Sequence, residues 1–233
     1  MRSPRNSGST VLLDEVASTQ SVAAMTLLEG GPETVIIARR QTLGVGRFER
    51  PWYSEADGSL TFSMIFRDYA DHPKPWLVGM ATALAVAGAT HCRLAWPNDL
   101  VFQGRKAGGV LTQLCPDSAG RRVPVVGIGL NLAIEQFPAE LAEKAGNLPQ
   151  GPGADAAELV TEILNRIELL PEPREWSDLR AIWAMFDETP RKNYLLPNGD
   201  LAVGIGVGPD GELICAVDGE TQTVLAAEAI FGS

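Results

Sequence analysis

Basic residues are the first scarcity in this sequence. Nineteen Lys and Arg stand against 29 Asp and Glu, a formal net charge of −10 over 233 residues. A nucleic-acid binder meets backbone phosphates with a cationic face, so this balance argues against that class while leaving room for a local cationic pocket. Cysteine is scarce as well. Cys92, Cys115 and Cys215 are odd in number and far apart, which yields neither a disulfide framework nor a metal-ligand cluster and makes a reducing cytoplasm the expected compartment. His72 and His91 are isolated and read as core or surface residues rather than ligands. The longest apolar stretch, WLVGMATALAVAGA (76–89), is too short to span a bilayer and reads as a buried helix, so no membrane association is expected. MRSPRNSGST has no apolar core after its charges, so no secretion signal is expected.

What is present suits a globular protein, with 45% apolar and 21% charged residues. VLLDEV (11–16) and TVIIARR (34–40) read as strands. Between them STQSVAAMTLLEGG reads as a helix capped by Ser18 or Thr19 and ended by Gly30-Gly31. SLTFSMIF (59–66) reads as an alternating strand. A meander follows: 91–96 with 99–103, then 107–114 and 123–132, with turns at Gln103-Gly104 and PDSAGRR. Residues 135–187 read as helical with a break at NLPQGPGAD. LAVGIGV, ELICAV and TVLAAEAIF read as short strands of a small β-barrel. Together these make an α+β protein.

Two glycine motifs invite a nucleotide-fold reading, and both fail it. GVGRFE (44–49) lacks the third glycine and opens no helix, GIGVG (204–208) runs into another turn and strand, and no GxxxxGK[ST] occurs. GVGR remains a loop whose backbone N–H groups can converge on an anion, with Arg47 and Arg50 nearby; a solvated surface loop is the plainer reading. In RLAWPNDLVFQGRKAGGVL (93–111), Pro97 ends a strand, and the hairpin turn sets Asp99 opposite 106–108, bringing it near Lys106. Gly108 and Gly109 clear space for a ligand or another backbone.

In chain order, Ser18-Thr19-Gln20, ARRQTLGVGRFERPW (38–52), LAWPNDLVFQGRKAGGVL (94–111) and VVGIGLNL (125–132) resemble the biotin protein ligases. The family's patterns run Ser-Thr-Asn, Gln-x-x-Gly-Arg-Gly-Arg-Arg-Gly-Arg-x-Trp, Lys-Trp-Pro-Asn-Asp, a Lys-x-Gly-Gly-like run, and Gly-Ile-Gly-Ile-Asn. The resemblance covers roughly residues 10–132. It implies a class II synthetase-like mixed sheet with helices over 9–187 and a small C-terminal SH3-like β-barrel over 188–233. The DNA-binding extension of some members is expected to be lacking. It also implies biotin as substrate, ATP with Mg2+, a biotin carboxyl carrier domain as acceptor, and a sheet-edge homodimer.

By the same resemblance, Ser18, Thr19 and Gln41 hold the biotin rings. Gly44, Gly46 and Trp52 form the loop that closes over it, and Gly108 and Gly109 let the backbone approach. Arg47 faces the adenylate phosphate, and Lys106 faces the biotin carboxyl or that phosphate. Trp96, Asn98, Asp99 and Asn131 lie toward the nucleotide. Each has a plainer reading alone: helix cap, core aromatic, turn former. The departures are equally specific. Ala95 replaces the Lys before Trp-Pro-Asn-Asp, Val45 and Phe48 replace loop arginines, Glu49 replaces a glycine, and Gln20 replaces Asn. Ala and Val donate no charge-assisted bond, and loss of one preorganised stabiliser typically costs ~10²–10³-fold in rate. Three expectations follow: a slowed ligase, a non-catalytic binder of biotin, adenylate or carrier, and a related lipoate or octanoyl transferase. Arg93, two residues from Ala95 on a strand, is expected to bring its guanidinium into the missing cation's space and join Arg47 and Lys106 as a catalytic group.

Overall fold

A computed structural model describes residues 1–47, 50–151, 155–196 and 198–225. Phe48, Glu49 and most of the strand expected at 223–231 lie outside the described residues. A seven-stranded sheet runs in the order β1-β2-β3-β7-β6-β5-β4. Its strands are β1 (Ser9–Val16), β2 (Glu33–Gln41), β3 (Ser59–Ile65), β4 (Arg93–Ala95), β5 (Asp99–Phe102), β6 (Arg105–Pro116) and β7 (Arg122–Asn131). β1 pairs parallel to β2 and every other pairing is antiparallel, so the sheet is mixed. The β5–β6 turn falls at Gln103-Gly104, both with positive φ, as a two-residue hairpin requires.

The two faces of the sheet are covered unequally, and that difference makes the site. On one face α2 (Trp76–Thr90), α3 (Ala156–Leu169) and α4 (Trp176–Phe186) bury Leu60, Phe62, Met64, Val126, Ile128 and Leu130 in the main core. On the other lies α1 (Thr19–Glu29), whose Ala23 and Leu27 pack on Ile36, Ile65, Val123 and Val125. Seen from α1, that apolar end gives way toward the helix N-terminus to Thr61, Ser63, Gly127, Gly129 and Gly109. β3 therefore does not alternate as expected: all seven of its residues are buried, because both faces are covered.

Residues 135–146 form turns rather than the expected helix. Turn bonds of helical spacing run only from Pro138 to Ala145, and the segment then bonds to the sheet, with Lys106 N–H donating to the Lys144 carbonyl and Leu148 N–H to the Asn131 carbonyl. Periodicity in 156–169 and 176–186 does mark helices, α3 being capped by Asp155 through the backbone N–H groups of Ala157 and Glu158.

The C-terminal part is a four-stranded antiparallel sheet in the order β11-β10-β9-β8. β9 (Leu201–Val207) and β10 (Leu213–Val217) fall on the expected runs, β11 (Glu220–Val224) begins earlier than the run expected at 223–231 and shares only 223–224 with it, and β8 (Asn193–Leu195) is additional. Trp96 joins Leu196, Ala202, Leu213 and Cys215 in one apolar cluster, seating this sheet against the β4–β5 corner.

Candidate ligand site

Two cross-strand rows on the α1 face organise the site. Register pairs Ala38 with Thr61, Thr61 with Gly129, Gly129 with Gly109, Gly109 with Asp99, and Asp99 with Ala95. The neighbouring row runs Ser63, Gly127, Leu111. Directly paired residues share a face, so Gly109, Gly127 and Gly129 make a floor without side chains, with Asp99 and Ala95 at one end of it.

Polar groups gather at the opposite end. The Thr19 N–H and hydroxyl both donate to Gln41 Oε1, at 2.7 and 3.0 Å, and the Ser63 hydroxyl donates to Thr19 Oγ1 at 2.8 Å. Ser18 sits buried at the N-cap position, yet its hydroxyl makes no capping bond, which argues against its reading as a helix cap. Gln20 lays its carboxamide over Gly127 and donates to the Leu111 carbonyl at 3.3 Å.

The glycine-rich loop folds back as a tight hairpin. Trp52 N–H donates to the Gly44 carbonyl and Gly46 N–H to the Arg50 carbonyl, both at 2.8 Å. A β-carbon at Gly44 would stand 3.0 Å from the Trp52 carbonyl, so a side chain there would push the hairpin apart by a few tenths of an ångström. The closure presses the Trp52 indole onto the floor, where a β-carbon at Gly129 would fall 2.4 Å from Cε2. Gly129→Ala is therefore expected to push Trp52 off the floor, read as a shift in indole fluorescence emission, with the melting temperature nearly unchanged; an unaltered emission would show that the indole does not depend on a flat floor.

Two cations meet Asp99. Lys106 Nζ lies 2.6 Å from Asp99 Oδ1 and 5.7 Å from the Trp52 ring centre. This is the proximity expected from the sequence, but through a different register. Asp99 faces Gly109, not 106–108, because a bulge between Leu100 and Val101 shifts the pairing. The Arg47 guanidinium lies 5.8 Å from the Trp96 ring centre. Burial pulls its pKa down to about 10, with Asp99 opposing the shift and Arg50 adding to it.

Three expected residues are occupied otherwise. Arg93 does not fill the space at Ala95: its guanidinium donates to the Met185 carbonyl at 2.6 Å and reaches the Asp187 carbonyl at 3.4 Å, with Glu188 beside it. The unsatisfied carbonyls ending α4 attract a cation, so Arg93 is withdrawn as a catalytic residue. Trp96 is a core residue whose Nε1 donates to the Gly211 carbonyl, leaving a ring face to Arg47. Asn98 exchanges bonds with Val110, its Nδ2 donating to that carbonyl.

The sequence reading missed Ser63, Gly127 and Gly129 as floor and wall. Glycines two apart in a strand were the available signal for the pair; a serine inside an apolar strand gave none. Gly108 faces the main core, where a β-carbon would meet Leu100 and Leu130, so of the Gly108-Gly109 pair only Gly109 lies on the floor. Among the described residues no group of three His, Cys, Asp or Glu could hold a metal.

Comparison with known proteins identifies the family. The signature of the Biotin/lipoate A/B protein ligase family matches residues 13–131. The bifunctional ligase/repressor BirA of Bacillus spizizenii is 32% identical over 162 residues, covering 65% of this chain and 50% of that protein. The chain thus spans about half the length of the first curated relatives it matches. The biotin–[acetyl-CoA-carboxylase] ligase of Mycobacterium tuberculosis is 28% identical over 244 residues, covering 94% of this chain and 88% of that one. Biotin protein ligase from Aquifex aeolicus, solved with biotin and ATP, superposes with a TM-score of 0.73 at 26% identity, covering 93% and 95% of the two chains. With half of its length matched by the family signature and its fold shared with solved members, this chain belongs to the biotin/lipoate A/B protein ligase family, among the biotin protein ligases.

Proposed function

We propose that the chain binds biotin along the glycine floor, joins it slowly to ATP, and passes the biotinyl group to a lysine of a carrier domain such as the biotin carboxyl carrier domain of a carboxylase. One observation carries the reading. Hydrogen-bonding side chains (Ser18, Thr19, Gln41, Ser63) stand at one end of the floor and a cation, Lys106, at the other, two strand spacings or roughly 10 Å away. That suits a ligand with a polar ring system and a distant carboxylate. A lipoyl dithiolane or an octanoyl tail would make no use of these polar groups.

In the first step a biotin carboxylate oxygen attacks the α-phosphorus of ATP and the bond to the bridging oxygen breaks, releasing pyrophosphate. Lys106 and Arg47 offset the repulsion of the two anions, with Trp96, Asn98 and Asp99 on the nucleotide side and Asn131 behind them. Gly44, Gly46 and Trp52 close over the mixed anhydride and keep water away. The carrier amine then attacks the acyl carbon, AMP leaves, and the amine gives up a proton. Among the described residues none form a resident Mg2+ site: Asp99 is the floor carboxylate there and is paired with Lys106. Ala95, only 1% exposed, and Val45 offer no charge to the phosphate, so adenylation is slow.

We take 9–187 as the catalytic domain and 188–233 as the family's small SH3-like barrel. A cytoplasmic chain with no nucleic-acid partner and a homodimer across the open β1 edge complete the reading. The second reading is a binder without catalysis, favoured by Ala95 and by Arg93 being turned toward α4. Calorimetry with biotin, lipoate and octanoate, run beside biotin-dependent ATP–pyrophosphate exchange, separates these. Biotin binding with slow exchange supports the proposal. Binding without exchange leaves the non-catalytic reading, and preference for lipoate or octanoate overturns the biotin assignment.

A further inference from the structure

Lys106 stands where the sheet is irregular. The β5–β6 pairing slips between Leu100 and Val101, and backbone groups at such a bulge lose their ladder partners. The segment 144–148 supplies them. Lys106 N–H donates to the Lys144 carbonyl at 2.8 Å, and Gly146 N–H donates to the Lys106 carbonyl at 3.0 Å. Arg105, next to Lys106, leans on the same segment: a β-carbon at Gly146 would stand 3.1 Å from Arg105 Cβ.

Asn131 completes the clamp. It is 4% exposed, and its Nδ2 donates to the Lys106 carbonyl at 3.3 Å and to the Gly146 carbonyl at 3.0 Å. Its own carbonyl accepts from Leu148 N–H at 2.7 Å. Both amide hydrogens are thereby committed to the main chain of Lys106 and of the segment that holds it. A lysine ammonium rides on a flexible four-carbon stem, so fixing its backbone narrows the volume it samples.

We infer that Asn131 is a positioning residue for Lys106: with segment 144–148 it fixes the Lys106 main chain, holding the ammonium between Asp99 and Trp52 at the carboxylate end of the floor. The inference rests on the reading of that floor as a biotin site. It gives the asparagine at the end of β7 a role exerted through another residue, in addition to its place on the nucleotide side.

The test is a double-mutant cycle read by calorimetric biotin affinity, with thermal melts alongside. Asn131→Ala and Asn131→Asp, which removes the donors at constant size, are each expected to weaken biotin about tenfold, as coupled neighbours do. In a Lys106→Ala background the same changes are expected to have no further effect. A merely structural role would persist there, so an equal weakening in both backgrounds overturns the inference. So does an unchanged biotin affinity with weakened binding of a non-hydrolysable ATP analogue. Asn131→Ser, which keeps a hydroxyl donor, carries the same cycle if the other variants do not fold. Should the unsubstituted chain bind no biotin, it is the biotin reading that fails.

Discussion

Lys106→Ala is expected to lower biotin-dependent ATP–pyrophosphate exchange by ~10²–10³-fold, the usual cost of removing one preorganised charge stabiliser. The reason is the small number of cations on the floor. Lys106 reaches it from β6 and Arg47 from the loop, whereas position 95 carries a methyl group and Arg93 is held at the end of α4. Both reactants of the first step are anions, so the remaining cations carry most of the compensation. Stability should barely change. The Lys106–Asp99 pair is 40% and 33% exposed at its side chains, and such pairs contribute ~0–1 kcal/mol. The expected pattern is a collapse of exchange with an almost unmoved melting temperature. Equal exchange in the variant would remove Lys106 from the chemistry.

The largest gain is expected from Ala95→Lys combined with Val45→Arg, which should raise exchange ~10²-fold or more. Ala95 pairs directly with Asp99 in the row that runs on through Gly109 and Gly129, so a lysine there starts on the floor's own face. Its burial at 1% exposure makes the change costly, on the order of 1–3 kcal/mol for an overpacked site, although Asp99 on the next strand supplies an opposite charge. Val45 is 45% exposed, and an arginine at that position extends without crowding. Steady-state exchange measured beside a thermal melt checks both halves. A double variant that folds and binds biotin yet shows no gain would mean that the slow step lies elsewhere.

Much of this was legible in the sequence because it is local. Gly30 ends α1 in a left-handed conformation, Gln103-Gly104 makes the hairpin turn, and the ordered motifs from Ser18 to Asn131 carry the family. The proximity of Lys106 to Asp99 also followed, since a two-residue turn brings neighbouring strand ends together whatever the exact register. The errors came from long-range partners. Residues 135–146 look helical by composition, but helical turns reach only from Pro138 to Ala145 before backbone groups at 144 and 146 bond to β6. β3 reads as half-exposed, yet helices cover both its faces.

By itself the sequence determined the α+β class, the membership in the family, and the loss of a cation at Ala95 and Val45, because each depends only on which residues occur and in what order. The tertiary structure alone decided where the remaining charges act. It set the β5–β6 bulge that pairs Asp99 with Gly109, drew Arg93 to the carbonyls of α4, and spent the amide of Asn131 on Lys106. Those outcomes turn on backbone groups distant in the chain that satisfy one another once folded, and no local pattern encodes which of them will meet.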